Sequence, residues 1–246
     1  MPQSLAWTRL LNGIFGGPLT SLLQSMGISL KHPGAPITDA FALEFLIALV
    51  MLAFFLVVRM TLSVEKPAPV QQFAEMIHEF VGGQAEQIIG HGYEQFQSFA
   101  TIIFLFILSC NLIGLIPGVN SPTELEIVTL ALAVATFLYY NFYGFKANEF
   151  GGYLKQFAGP MWQLSWLLFP IELISHFARI MSLSVRLYAN MFAGGLVTLV
   201  FFSLIPIGIP VAFLGLHLLV SVIQAFVFTL LVLIYLSLAV SHEAEA

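Results

Sequence analysis

The chain has 246 residues, 59% hydrophobic and only 9% charged, with a mean hydropathy of +0.94 and a net charge of −5. A soluble domain carries about 25% charged residues, so this composition excludes a water-covered surface and leaves the all-α integral membrane class. The small, dispersed charge holds no basic block for nucleic acid, and a single cysteine, Cys110, excludes an internal disulfide and any thiol metal site.

We read residues 1–246 as one membrane domain in three stretches, 1–38, 39–160 and 161–246. In the first, Arg9 is the only basic residue before Lys31, and Gly16, Gly17 and Pro18 interrupt the apolar run, which does not fit a signal peptide. Leu10, Leu11, Ile14, Phe15, Leu19, Leu22 and Leu23 instead predict an amphipathic segment at the outer interface. Ala40 to Leu62 is long enough to span a ~30 Å hydrocarbon core. Arg59 and Lys66 flank its end, and Pro67 and Pro69 break the chain. Val70 to Glu94 mixes Phe73, Met76, Ile77, Phe80 and Val81 with Glu75, His78, Glu79 and Glu86, which predicts an amphipathic surface helix. His78 and His91 are expected to face solvent. Phe96 to Ile116 and Leu125 to Phe145 are the next two spans, joined through Pro117 to Thr123.

Arg59, Lys66, Lys146 and Lys155 fall on one side if the spans alternate, while the two opposite links carry no basic residue. That side is cytoplasmic by the positive-inside rule. The N-terminus is then outside and the C-terminus inside.

Met161 to Leu204 reads as one nearly unbroken helix of about 55 Å, too long to stand upright in the bilayer. Val211 to Val240 follows after a turn at Pro206–Pro210. Together they predict a hairpin of two long, steeply tilted helices. On the first limb Glu172, Ser175, Arg179, Ser182, Arg186 and Asn190 recur at intervals of three and four, which aligns them on one face. Each ionised residue at the bilayer centre costs roughly 2.5–3.5 kcal/mol on insertion scales, so the stripe needs protein or water over it. His217, Ser221 and Gln224 form a matching face on the second limb. Antiparallel packing divides the polar residues into an outer group (Asn190, His217, Gln224) and an inner group (Glu172, Ser175, Arg179, Ser182, Tyr235). Arginine stays protonated, whereas imidazole and carboxylate relay protons and amides and hydroxyls hold water. A fixed cation between two titratable groups suits an interrupted proton path.

Ser182-Leu-Ser-Val-Arg-Leu-Tyr-Ala-Asn190-Met-Phe-Ala-Gly194, the later Gln224-Ala-Phe-Val-Phe with Tyr235-Leu, Asn111 to Pro117 and Pro122-Thr123 closely resemble subunit a of the F-type ATP synthase, over roughly residues 40–241. The resemblance implies a proton-translocating stator subunit in a bacterial plasma membrane. Its partners would be a c-ring, peripheral-stalk b subunits and lipid, with no cofactor, metal or nucleotide of its own. Arg186 would face the ring carboxylates and separate two offset half-channels, an outer one through Asn190, His217 and Gln224 and an inner one through Glu172, Ser175 and Ser182, with Tyr235 beside it. Some members carry a glutamate where this chain has Gly195, partnering the histidine at position 217. Here that partner is missing, and Glu124 and Glu126 are candidates to collect protons at the outer mouth or simply solvated loop residues.

The bland readings stand beside these. Arg186 and Arg179 each offer an ion pair to Glu172. Asn190 and Gln224 serve equally as interhelical hydrogen-bond glue, and Ser175, Ser182 and Ser221 as packing residues. Gly194 and Gly195 are expected to permit close helix approach, and His176 to lie at the interface without a partner. A secondary ion-coupled transporter would show repeats and paired broken helices, and the Arg186 block has no second copy. An intramembrane enzyme finds no Ser/His/Asp or His-Glu-x-x-His constellation, and no phosphate-binding glycine loop is present. Coupling to Na⁺ instead of H⁺ stays open, because the ring supplies the ion site.

Overall fold

The computed structural model describes residues 5–27, 35–116, 118–147, 165–204 and 208–240. Lys31, Lys155, the expected helix start at Met161 and the Pro206-Ile207 part of the turn lie outside them. The described residues form seven α-helices and one 3₁₀ turn. These are α1 (Ala6–Ser25), α2 (Asp39–Met60), α3 (Pro69–Ile89), α4 (Glu94–Ile113), the 3₁₀ turn Pro122–Glu124, α5 (Glu126–Ala147), α6 (Ser165–Leu204) and α7 (Ile209–Val240). Five of them, α2, α4, α5, α6 and α7, are long and apolar enough to cross a membrane. The chain is an all-helical membrane protein.

Helix α1 is pinned to the start of α2 by polar groups and by a small apolar contact of Leu11 with Ile37 and Ala42. The Asp39 carboxylate accepts from the Leu5 backbone N–H at 3.2 Å and from the Thr8 hydroxyl at 2.5 Å. A carboxylate there complements the positive end of both helices. The Asn12 side chain exchanges two hydrogen bonds with the Ile37 backbone, both 3.0 Å, and the Trp7 indole donates to the Ala42 carbonyl at 2.9 Å. Leu10, Ile14, Phe15 and Leu22 are left exposed, as expected of a helix at an apolar interface.

Helix α3 opens with Pro69 in the first turn, where its missing N–H costs nothing. It ends earlier than the expected Glu94, because Gly90 takes a φ of 78° and stops the helix. Ile77, Val81 and Ala85 bury one face against α4 and α7. The shared core of α3 to α7 centres on Phe96, Ile107, Tyr140, Leu187, Phe228 and Leu233.

The hairpin has the expected form. Forty residues of α6 and thirty-two of α7 correspond to about 60 and 48 Å at 1.5 Å per residue. Pro170 sits in the second turn of α6 without ending it. Contacts 194/217, 190/224 and 179/235 step in opposite directions along the two limbs, so they run antiparallel. In its middle α6 turns Leu183, Leu187 and Met191 into the core, each at most 2% exposed. The adjoining face, about 100° further round the helix, carries Ser182, Arg186 and Asn190 and is uncovered.

Candidate functional site

Polar residues of the hairpin gather into three places along its length. The first is a cluster low on α6. Glu172 Oε1 lies 3.6 Å from His176 Nε2 and 3.9 Å from an Arg179 guanidinium nitrogen. His176 is buried, and its Nδ1 shares a 3.0 Å hydrogen bond with the Tyr140 hydroxyl of α5. The Arg179 guanidinium stands over the Tyr235 ring of α7, 5.3 Å from its centre, a cation–π contact of about 0.5–2 kcal/mol. The cluster thus draws on three helices. Ser175 is half-buried on the same face, while Ser182 is exposed and donates to the Arg179 carbonyl of its own helix at 3.1 Å.

The second place is the bare face around Arg186. Among the described residues Glu172 lies against His176 and Arg179, and Arg186 forms no ion pair. One turn on, the Asn190 amide donates to Gln224 Oε1 at 2.7 Å and ties the two limbs together.

The third is a cavity of about 450 Å³ at the other end of the stripe, lined among others by Gly114, Asn120, Glu124, Gly195, Thr198 and His217. His217 is 3% exposed, and among the described residues its Nε2 is a buried nitrogen with no hydrogen-bond partner. Glu124 reaches the cavity from the 3₁₀ turn. That turn is locked down by a buried chain of hydrogen bonds. Ser121 donates to the Cys110 carbonyl at 2.7 Å and Thr123 to Asn111 Oδ1 at 2.7 Å, and the Asn111 amide donates to the Ser221 carbonyl at 3.2 Å. Gly114 allows the close approach, since a Cβ there would meet Ser121 Cβ at 2.7 Å. Burial pushes the Glu124 carboxyl above the usual carboxylate range, and a hydrogen bond from the Ser121 backbone opposes this.

A family model described as the ATP synthase A chain matches residues 41–237. The chain belongs to the ATP synthase subunit a family. It is 48% identical over 242 residues to ATP synthase subunit a of Koribacter versatilis, covering 98% of this chain and 99% of that one. It is 43% identical to the Solibacter usitatus subunit a over 88% of this chain and 93% of that one. The Bdellovibrio bacteriovorus subunit a is 41% identical over 69% and 74% of the two chains.

Against this subunit a background the structure sorts the expected residues. It brings Glu172, Arg179 and Tyr235 together, pairs Asn190 with Gln224, and sets His217 and Glu124 on one cavity. It does not gather Ser182 into the inner cluster, because its hydroxyl is spent on its own backbone. Ser221 is fully buried against Met191, 3.9 Å from its sulfur, and packs rather than lining the cavity. Glu126 is exposed in the first turn of α5, where it complements the helix dipole. One expectation is corrected and two gain detail. His176 is not unpartnered, since α5 covers it with Tyr140. His78 is exposed, as expected, and shares a 3.2 Å hydrogen bond with Thr101. The room above Gly194 and Gly195 is filled not by a neighbouring backbone but by the His217 ring and the Glu124 carboxylate. Sequence spacing already placed His176 four residues after Glu172, on the same face. Tyr140, on another helix, had no such signal.

Proposed function

We propose that this chain is the proton-translocating stator subunit in the membrane sector of a bacterial ATP synthase. It forms two offset half-channels that deliver protons to, and collect them from, the carboxylates of a rotating c-ring. Arg186 separates them. Asn190, His217 and Gln224 line the outer path, with Glu124 at its mouth. Glu172, Ser175, His176 and Arg179 border the inner one. Peripheral-stalk b subunits anchor the chain, and nucleotide chemistry takes place on other subunits. The N-terminus is outside and the C-terminus cytoplasmic, with Arg59 and Lys146 in the last turns of α2 and α5 on the inner side.

The observation that carries this reading is the bare face of α6. A guanidinium lies there with its neighbouring carboxylate already occupied, between two polar clusters. Left in hydrocarbon it is unfavourable by roughly 2.5–3.5 kcal/mol, and an acidic partner passing across the face removes that cost. Because the guanidinium keeps its proton, it attracts an ionised ring carboxylate and blocks direct passage of H⁺ between the two sides.

The test is Arg186→Ala in membrane vesicles, with assembly checked by subunit content. Loss of ATP synthesis in an assembled complex is the expected result, with or without a passive proton leak. ATP synthesis at the wild-type rate would sink the mechanism.

A further inference from the structure

Two consecutive glycines in the middle of a helix cost about 1 kcal/mol each relative to alanine. Gly194 and Gly195 in α6 therefore call for a reason, and their surroundings supply one. A Cβ on Gly194 would stand 3.2–3.4 Å from three ring atoms of His217. One on Gly195 would stand 2.7 Å from Glu124 Oε1 and 3.1 Å from its Cδ. Each missing side chain is the seat of one titratable group. Both groups line the same 450 Å³ cavity, whose volume accommodates a chain of waters. The imidazole is 97% buried by its 3% exposure, and its Nε2 has no protein partner among the described residues. A polar nitrogen of this kind is costly to bury unless something in the cavity serves it.

We propose that Glu124 is the carboxylic acid that donates protons in the outer path, and that Gly195 is glycine so that this acid can reach in from the loop instead of standing on the helix. The idea rests on the half-channel reading above and deepens it. In the step itself the Glu124 carboxylic acid releases H⁺ through cavity water to the free nitrogen of a neutral His217. This leaves carboxylate and imidazolium. The imidazolium then passes a proton on toward the ring carboxylate, returning to neutral imidazole, and outside water reprotonates Glu124. The loop is rigid enough for this role because Ser121, Thr123 and Asn111 hold it by buried hydrogen bonds. The clash at Gly195 involves the far end of a flexible side chain, so a methyl there displaces the carboxylate without unfolding the helix.

The experiment uses the assembled complex in vesicles and reads ATP-driven proton pumping and ATP synthesis, with subunit content as the assembly check. E124Q is expected to lower both at least five-fold. G195A is expected to do the same in the wild-type background and to add nothing in the E124Q background, because both remove the same carboxylate from the same place. E124A/G195E, which moves the acid from loop to helix, is expected to recover more than half of the wild-type rate. Wild-type pumping in E124Q, multiplicative losses in the E124Q/G195A pair, or E124A/G195E no better than E124Q would each overturn the proposal. Where E124Q does not assemble, E124A/G195E decides the matter alone. R186A is run alongside. If R186A stops synthesis and E124Q does not, only the Glu124 assignment fails; if R186A synthesises ATP, the half-channel reading itself fails.

Discussion

The Asn190–Gln224 bond at 2.7 Å is the shortest link between the two limbs at the level of the stripe, and it joins two residues that serve either as glue or as path. These roles separate experimentally. Interhelical hydrogen bonds in membranes are worth about 0.6 kcal/mol on average, so N190A and Q224A are expected to leave assembly nearly intact. Pumping should fall several-fold in each, and the double variant should be no worse than the worse single one. Equal losses of pumping and of assembled complex in all three would leave only the glue role. Glu124 gives a second prediction at this scale, on stability. Its carboxyl is raised by burial, so in the folded protein it holds its proton to higher pH than in the unfolded chain. Its favourable contribution is complete below the ordinary carboxylate range and is lost as pH rises through the raised value. At pH 7 E124Q should therefore be at least as heat-resistant as the wild type, with the difference closing as pH falls toward 4. This is read by thermal dissociation of the complex at several pH values. An E124Q complex less stable than wild type at pH 7 would contradict the burial argument.

Elements were legible in the sequence where one physical signal dominated. Apolar length marks the spans, and the three-and-four spacing of Glu172 to Asn190 marks one face of α6. What spacing did not disclose is which side of that face is covered. Leu183, Leu187 and Met191 face the core and leave Arg186 bare, a matter of tertiary packing rather than of pattern. Helix α3 stops short of its apolar periodicity, which runs on past Gly90, because the positive φ of that glycine ends the helix. The loop before α5 was the least legible part, since its position depends on Asn111 meeting Thr123 and Ser221 from two other elements. That dependence is testable. N111L removes two buried hydrogen bonds, the one from the Thr123 hydroxyl and the one to the Ser221 carbonyl. Each such bond contributes a net of about 0.5–1.5 kcal/mol. A clear drop in thermal stability is expected, together with slower pumping, because the turn that carries Glu124 is no longer held. Unchanged stability would show that the clamp is not what positions the loop.

For the molecule as a whole, coverage is uneven in a way that points outward. Helix α4 is wrapped by its neighbours, whereas α6, the longest helix, is the least covered of the five spans, and it carries the arginine that most needs cover. On the half-channel reading proposed above, a partner lies along the Ser182–Arg186–Asn190 side. Cysteine cross-linking tests this directly. The only native thiol, Cys110, is fully buried and gives a quiet background. In the assembled complex S182C is expected to form a disulfide with a cysteine placed on the outer face of a ring subunit, near its carboxylate. L187C, at 0% exposure and turned into the core, is expected not to. The contrast matters more than either result, because both positions lie at similar depth, five residues or about 7.5 Å apart along the axis. If L187C cross-links as readily as S182C, α6 does not present a fixed face to the ring, and a rotating partner would have no constant surface against which to exchange protons.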